Sequence, residues 1–127
     1  MTAGQTSARS VLLVEDSMII ALDTEECLLG LGAERVAVHG TVAAALAAIE
    51  AETFDLALLD HNLGSESSEP VAEELRRRAI PFWLATGYGE MADRIGEIGA
   101  QGLLVKPFGR TELVQMMSDF ESLAAKR

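Results

Sequence analysis

Thiol chemistry is almost absent from this chain, which carries a single cysteine, Cys27. One cysteine can neither close an internal disulfide nor build a thiolate metal cluster. Basic residues are also scarce, with 10 Lys and Arg against 20 Asp and Glu for a formal net charge of −10. Binding a nucleic-acid backbone requires basic surface, so no nucleic-acid partner is expected. The same charge disfavours anionic membranes. Apolar runs all stop well short of the ~18 residues that a membrane span needs. The opening "MTAGQTSARS" is polar and offers no secretory core, so residues 1–9 read as a flexible tail. A cytoplasmic protein with no membrane partner is the expectation. Internal repeats and linkers are missing too, and the one compositional bias is an alanine-rich stretch near residue 45.

What the chain does have is apolar residues, 49% of 127, enough for one domain with a proper core, expected over residues 10–127. Strand-like runs recur: "VLLVE" at 11–15, "RVAVH" at 35–39, "DLALLD" at 55–60, "PFWLAT" at 81–86 and "GLLVKP" at 102–107. Their near-continuous hydrophobicity predicts a parallel sheet covered on both faces. Helical patterns lie between them. Over 17–31, Met18, Leu22 and Leu29 share a face with Ile19 beside it, and Gly30 and Gly32 supply stop signals. Thr41 can cap a helix over 42–51, and Pro70 suits the first turn of one running to about Arg78. A short, glycine-weakened helix is predicted over 90–98, and a last one from about Arg110 with Leu113, Met116, Met117 and Phe120 on one face. This (βα)5 alternation predicts an α/β, doubly wound, five-stranded parallel sheet.

Ligands of such sheets sit beyond the carboxyl ends of the strands. Glu15 and Asp16, Asp60, Thr86 and Lys106 all fall there. Crowded carboxylates repel one another, so they suit a hard, oxygen-loving dication such as Mg²⁺. Asp60 could then attack a phosphoryl group as a nucleophile, with the metal, Lys106 and the Thr86 hydroxyl taking up the charge and oxygens.

The order and spacing of Glu15-Asp16, Asp60, Thr86 and Lys106-Pro107 resemble the receiver domain of two-component response regulators, over nearly the whole chain. The resemblance implies a flavodoxin-like receiver fold and phosphoryl transfer to Asp60 from a histidine kinase or histidine phosphotransfer protein. It also implies Mg²⁺ held by Asp16, Asp60, Glu15 and the backbone carbonyl of Asn62, and a cis Lys106–Pro107 bond. "LATGYG", "DHNLG" and the later "EP" are similar to the FAT GUY branch of single-domain regulators of alphaproteobacteria. Three positions depart from pattern. Leu103 stands where most receivers carry an aromatic switch, Leu84 replaces that branch's usual Phe, and Ser65 stands where its members often have Gly. The nearby aromatic is Tyr88, the candidate switch residue, between Gly87 and Gly89.

Taken singly, each residue has a plainer reading. Asp60 alone would be a turn residue, Lys106 a surface charge, Thr86 part of a turn, and Asp16 a cap of the first helix. His61 reads as a solvated loop residue, His39 as a strand end, and Trp83, Met116 and Met117 as core. Cys27 lies opposite Met18 and Leu22 on the helical wheel, which leaves its packing open. "GLGAER" at 30–35 follows a helix and lacks a third glycine, so it is no dinucleotide fingerprint.

Three functions compete. A phosphoacceptor module with no output segment acts by protein binding or as a phosphate sink, with self-phosphorylation and slow self-dephosphorylation as its only turnover. A pseudo-receiver binds a protein constitutively, without phosphorylation. A phosphohydrolase would want a second acid two residues after the nucleophile, where Asn62 stands.

Overall fold

The structure, a computed structural model, describes residues 10–64, 66–87 and 95–125. In chain order these form β1 (Ser10–Val14), α1 (Met18–Gly30), β2 (Arg35–His39), α2 (Val42–Ala51), β3 (Leu56–Asp60), β4 (Asn62–Leu63), β5 (Glu66–Ser67), α3 (Glu69–Arg77), β6 (Phe82–Thr86), α4 (Ile95–Ile98), β7 (Leu103–Val105) and α5 (Arg110–Ala125). Five strands build one parallel sheet in the order β2-β1-β3-β6-β7. This is the expected doubly wound α/β arrangement. The strands β4 and β5 make a separate antiparallel hairpin, pairing Asn62 with Ser67 and Leu63 with Glu66 across Gly64 at φ 72°. Strands of two residues leave no periodic trace in a sequence, so the apolar pattern does not announce this hairpin.

Side chains alternate across the sheet, as the pleat demands. Leu12, Val14, Ala57, Leu59, Phe82 and Leu84 face a core completed by Ala45 and Ile49 of α2 and by Val71 and Leu75 of α3. Val11, Leu13, Leu56, Leu58, Trp83 and Ala85 face the other way, onto Leu28 of α1 and Leu113, Met116, Met117 and Phe120 of α5. Complete burial of a leucine or phenylalanine side chain contributes about 1.5–3 kcal/mol, and the central strand β3 is buried along its whole length. Trp83, Met116 and Met117 are therefore core residues, as their patterns predict.

The first helix turns a different face to the sheet from the expected one. Ala21, Thr24 and Leu28 are buried, with Cys27 partly buried beside them, while Met18, Ile19 and Leu22 are 66%, 77% and 55% exposed. Both sets obey helical spacing, so periodicity cannot choose between them. Small Ala21 and Thr24 let the helix lie close to the strands. Ser17, rather than Asp16, caps α1, its hydroxyl accepting from the Ile20 N–H at 3.5 Å.

Elsewhere the helical signals hold. Thr41 caps α2 over Val42–Ala51 by accepting from the Ala44 N–H, and Pro70 lies in the first turn of α3. That helix ends with Ala79 in the left-handed region at φ 59°. The Ala79 N–H donates to the Arg76 carbonyl and the Ile80 N–H to the Leu75 carbonyl, the paired bonds that close a helix around a glycine in most proteins. Of the short helix expected over 90–98, the described part is Ile95–Ile98, and Tyr88 and Gly89 lie outside the described residues.

Candidate functional site

Strand register brings the polar residues to one edge. Val14 pairs with Leu59, Asp60 with Ala85, and Thr86 with Val105. Glu15 therefore follows the end of β1 beside Asp60, and Lys106 follows the end of β7 beside Thr86. Two further backbone bonds extend the ladder past the strands, from the Glu15 N–H to the His39 carbonyl at 3.0 Å and from the Lys106 N–H to the Thr86 carbonyl at 2.7 Å. Beyond them lies a cleft of about 500 Å³ whose lining includes Glu15, Asp16, Asp60, Asn62, Thr86 and Lys106. The lysine and proline are joined by a cis bond.

Asp60 is 5% exposed and held from two sides. Its Oδ1 accepts from the Asn62 N–H at 3.3 Å, and its Oδ2 accepts from Lys106 Nζ at 2.8 Å. The same ammonium lies 3.0 Å from Glu15 Oε1, and the other Glu15 oxygen accepts from the Ser17 N–H at 3.1 Å. Burial pushes the Glu15 carboxyl above its ordinary value, against the opposing pull of the Ser17 and Lys106 hydrogen bonds, and Asp60 pushes in the same upward direction. For Lys106, burial favours the neutral amine, but the hydrogen bonds and charges of Asp60 and Glu15 outweigh it and raise the pKa. One ammonium thus serves two buried carboxylates.

Asp16 is the exposed member of the acidic set. Glu15, Asp16 and Asp60 each bring one carboxylate oxygen into a group whose atoms lie within 4.8 Å of one another. With Lys106 as the single ammonium beside them among the described residues, the group keeps an excess of negative charge. Its donors are all oxygen and open to solvent on the Asp16 side, which fits a hard, partly hydrated dication such as Mg²⁺. Gly64 borders that side of the cleft: a Cβ there would stand 3.5 Å from Asp16 Oδ2.

The structure thus gathers Glu15, Asp16, Asp60, Asn62, Thr86 and Lys106 as the sequence predicts, and the candidate switch Tyr88 lies outside the described residues. Sequence reasoning passed over two serines. Ser17 could have been found, since a serine directly before a helical apolar pattern is a capping signal. Ser68 could have been found only in part. Its place before Glu69-Pro70 marks a helix start, but its hydroxyl donates to the His61 carbonyl, a contact that no local spacing foretells.

A family model described as "Response regulator receiver domain" matches residues 11–118. Among curated proteins, the chain is 33% identical over 110 residues to the transcriptional regulatory protein CutR of Streptomyces coelicolor, covering 82% of this chain and 49% of that protein. The chain spans about half the length of the curated relatives it matches. Among solved structures, it is similar to a CheY-like response regulator receiver domain protein from Methanospirillum hungatei, with TM-score 0.83, 27% identity and coverage of 94% of this chain and 98% of that one. It also shares the fold of the response regulator TrrA from Thermotoga maritima, solved in complex with Mg(2+)-BeF, at TM-score 0.78 and 24% identity over 88% of this chain and 98% of that one.

Proposed function

The chain belongs to the response regulator receiver domain family, and from that premise we propose that Asp60 accepts a phosphoryl group from the phosphohistidine of a histidine kinase or histidine phosphotransfer protein. The observation that carries this reading is the Asp60 carboxylate itself. It is buried, oriented by a backbone N–H and an ammonium, and set at the floor of a cleft beside two further carboxylates.

In the transfer, a carboxylate oxygen of Asp60 forms the bond to phosphorus. The bond from phosphorus to the imidazole nitrogen breaks, and its electron pair leaves on the imidazole. Asp16, Asp60 and the Asn62 carbonyl would hold Mg²⁺, with Glu15 as a further ligand. A bound Mg²⁺ supplies positive charge for the phosphoryl oxygens. Lys106, shared between Asp60 and Glu15 before transfer, moves its ammonium onto a phosphoryl oxygen, and the Thr86 hydroxyl donates to another. The exposed stripe of Met18, Ile19 and Leu22 starts one residue after Ser17, at the rim of the cleft. It offers the donor protein an apolar face beside the acceptor.

Output is through protein binding or as a phosphate sink, in the cytoplasm, and turnover is limited to self-phosphorylation and slow self-dephosphorylation. Tyr88 is the proposed relay to the partner. No helix among the described residues is long and apolar enough to cross a membrane.

Incubation with acetyl phosphate and Mg²⁺, followed by intact mass and peptide mapping, tests the proposal. The expected result is one added phosphoryl group on Asp60, absent from Asp60→Asn. Equal labelling of Asp60→Asn would refute the assignment, and no labelling of the parent would favour constitutive protein binding by a pseudo-receiver.

A further inference from the structure

His61, the residue that follows Asp60, is held through both its N–H and its carbonyl. The His61 N–H donates to the Ala85 carbonyl at 2.8 Å, which ties it to β6 one residue before Thr86. The His61 carbonyl accepts twice from one residue, from the Ser68 N–H at 3.3 Å and from the Ser68 hydroxyl at 3.3 Å. Since a carbonyl oxygen only accepts, the hydroxyl must be the donor. Ser68 is 1% exposed and sits where α3 begins, yet its side chain makes no capping bond to that helix. A capping serine normally stabilises its helix by ~1 kcal/mol. Here the hydroxyl is turned back into the loop instead, and the neighbouring Ser67 hydroxyl accepts from the Glu69 N–H at 3.2 Å.

The His61 carbonyl and the Asn62 N–H belong to one planar peptide unit and point in opposite directions. Fixing the oxygen therefore fixes the N–H. That N–H is the one that donates to Asp60 Oδ1. A chain of two hydrogen bonds runs from the Ser68 hydroxyl through this rigid plane to the acceptor carboxylate, and each bond polarises the next. The six intervening residues close on themselves through the β4–β5 hairpin, which holds Ser68 within reach of His61.

We infer that Ser68 is a positioning residue for phosphoryl acceptance, orienting the Asp60 carboxylate through the 61–62 peptide. The inference rests on the proposal that Asp60 is the acceptor. Ser68 touches neither donor nor phosphoryl group, so its effect falls on the rate of transfer.

The test uses the full chain, with acetyl phosphate and Mg²⁺ at saturation, and measures the rate constant of Asp60 labelling in the parent and in Ser68→Ala, Ser68→Cys and Ser68→Thr. Removing one orienting hydrogen bond is expected to slow transfer about tenfold in Ser68→Ala. Ser68→Cys keeps the volume but has a much weaker donor, so it should slow as well, and Ser68→Thr, which keeps the hydroxyl, should restore most of the rate. Amide hydrogen exchange at Asn62 should quicken in Ser68→Ala and Ser68→Cys but not in Ser68→Thr, a readout that a purely structural loss elsewhere in the chain leaves alone. A loss of less than about threefold in whichever of Ser68→Ala and Ser68→Cys is folded, or a slowing that Ser68→Thr does not relieve, would overturn the inference. Failure of the parent itself to label on Asp60 would instead overturn the acceptor assignment, so the two failures are distinct.

Discussion

Lys106→Met removes one ammonium and keeps most of the aliphatic stem. In the parent, that ammonium lies 2.8 Å from Asp60 Oδ2 and 3.0 Å from Glu15 Oε1, and both acids are almost fully buried. Taking one partner out of a buried ion pair costs about 3–5 kcal/mol. The Lys106 side chain is 21% exposed, so water screens part of the interaction, and a loss of about 2–3 kcal/mol at pH 7.5 without metal is the expected value. For a chain of this length that lowers Tm by roughly 8–12 °C.

The pH dependence has a definite sign. Glu15 has a raised pKa in the fold, so its contribution to stability is fully present below its ordinary value of 4.5 and is lost as pH rises through the raised value. Without Lys106 that value rises further, so the deficit grows between pH 5 and pH 7.5. Saturating Mg²⁺ binds among the same carboxylates and should shrink it. In the parent, Lys106 has a window of the same sense at far higher pH: its contribution is present below its ordinary value of 10.5 and fades only as pH climbs through the raised value. Urea unfolding at pH 5 and pH 7.5, with and without Mg²⁺, reads all of this. A deficit indifferent to both pH and Mg²⁺ would refute the electrostatic account and leave Lys106 as a packing residue.

Two other perturbations follow from the geometry. Ala79→Gly relieves an L-residue held at φ 59° on an exposed helix end. The left-handed conformation costs about 1–2 kcal/mol and glycine's extra chain entropy offsets about half, so a net gain of ~0.5–1 kcal/mol is expected in urea unfolding. A neutral or destabilising result would show that the turn is not strained. Asp16→Asn removes the exposed charge of the acidic group and should weaken Mg²⁺ at least about tenfold by calorimetry, while an unchanged affinity would shift the main contact to Glu15.

Legibility in the sequence tracked the range of the interaction. Strand β3 runs apolar into Asp60 because it is buried on both faces, and that pattern is local enough to read directly. The clustering of Glu15, Asp60, Thr86 and Lys106 was legible because a parallel sheet aligns strand ends, so position along each strand predicts place in space. The face of α1 was not, since Met18-Leu22-Leu29 and Ala21-Thr24-Leu28 are equally helical and only the packing distance to the sheet decides. The Ser68–His61 contact was hidden for a different reason: it depends on a hairpin with two residues in each strand. Tyr88 was singled out by its neighbours in the sequence and belongs to the stretch that the described residues do not include.

The bare stripe on α1 also has a colloidal side. Met18, Ile19 and Leu22 stand open to water on a molecule carrying a formal charge of −10. Two copies that approach through that face must first overcome their mutual repulsion, which reaches about 10 Å in 0.1 M salt and only about 3 Å in 1 M salt. Net charge here acts as a guard on a sticky surface, one that a basic partner crosses freely and a second acidic copy does not. Concentrated salt removes the guard without touching the fold, so storage and crystallisation conditions themselves decide whether the stripe meets water or its own likeness.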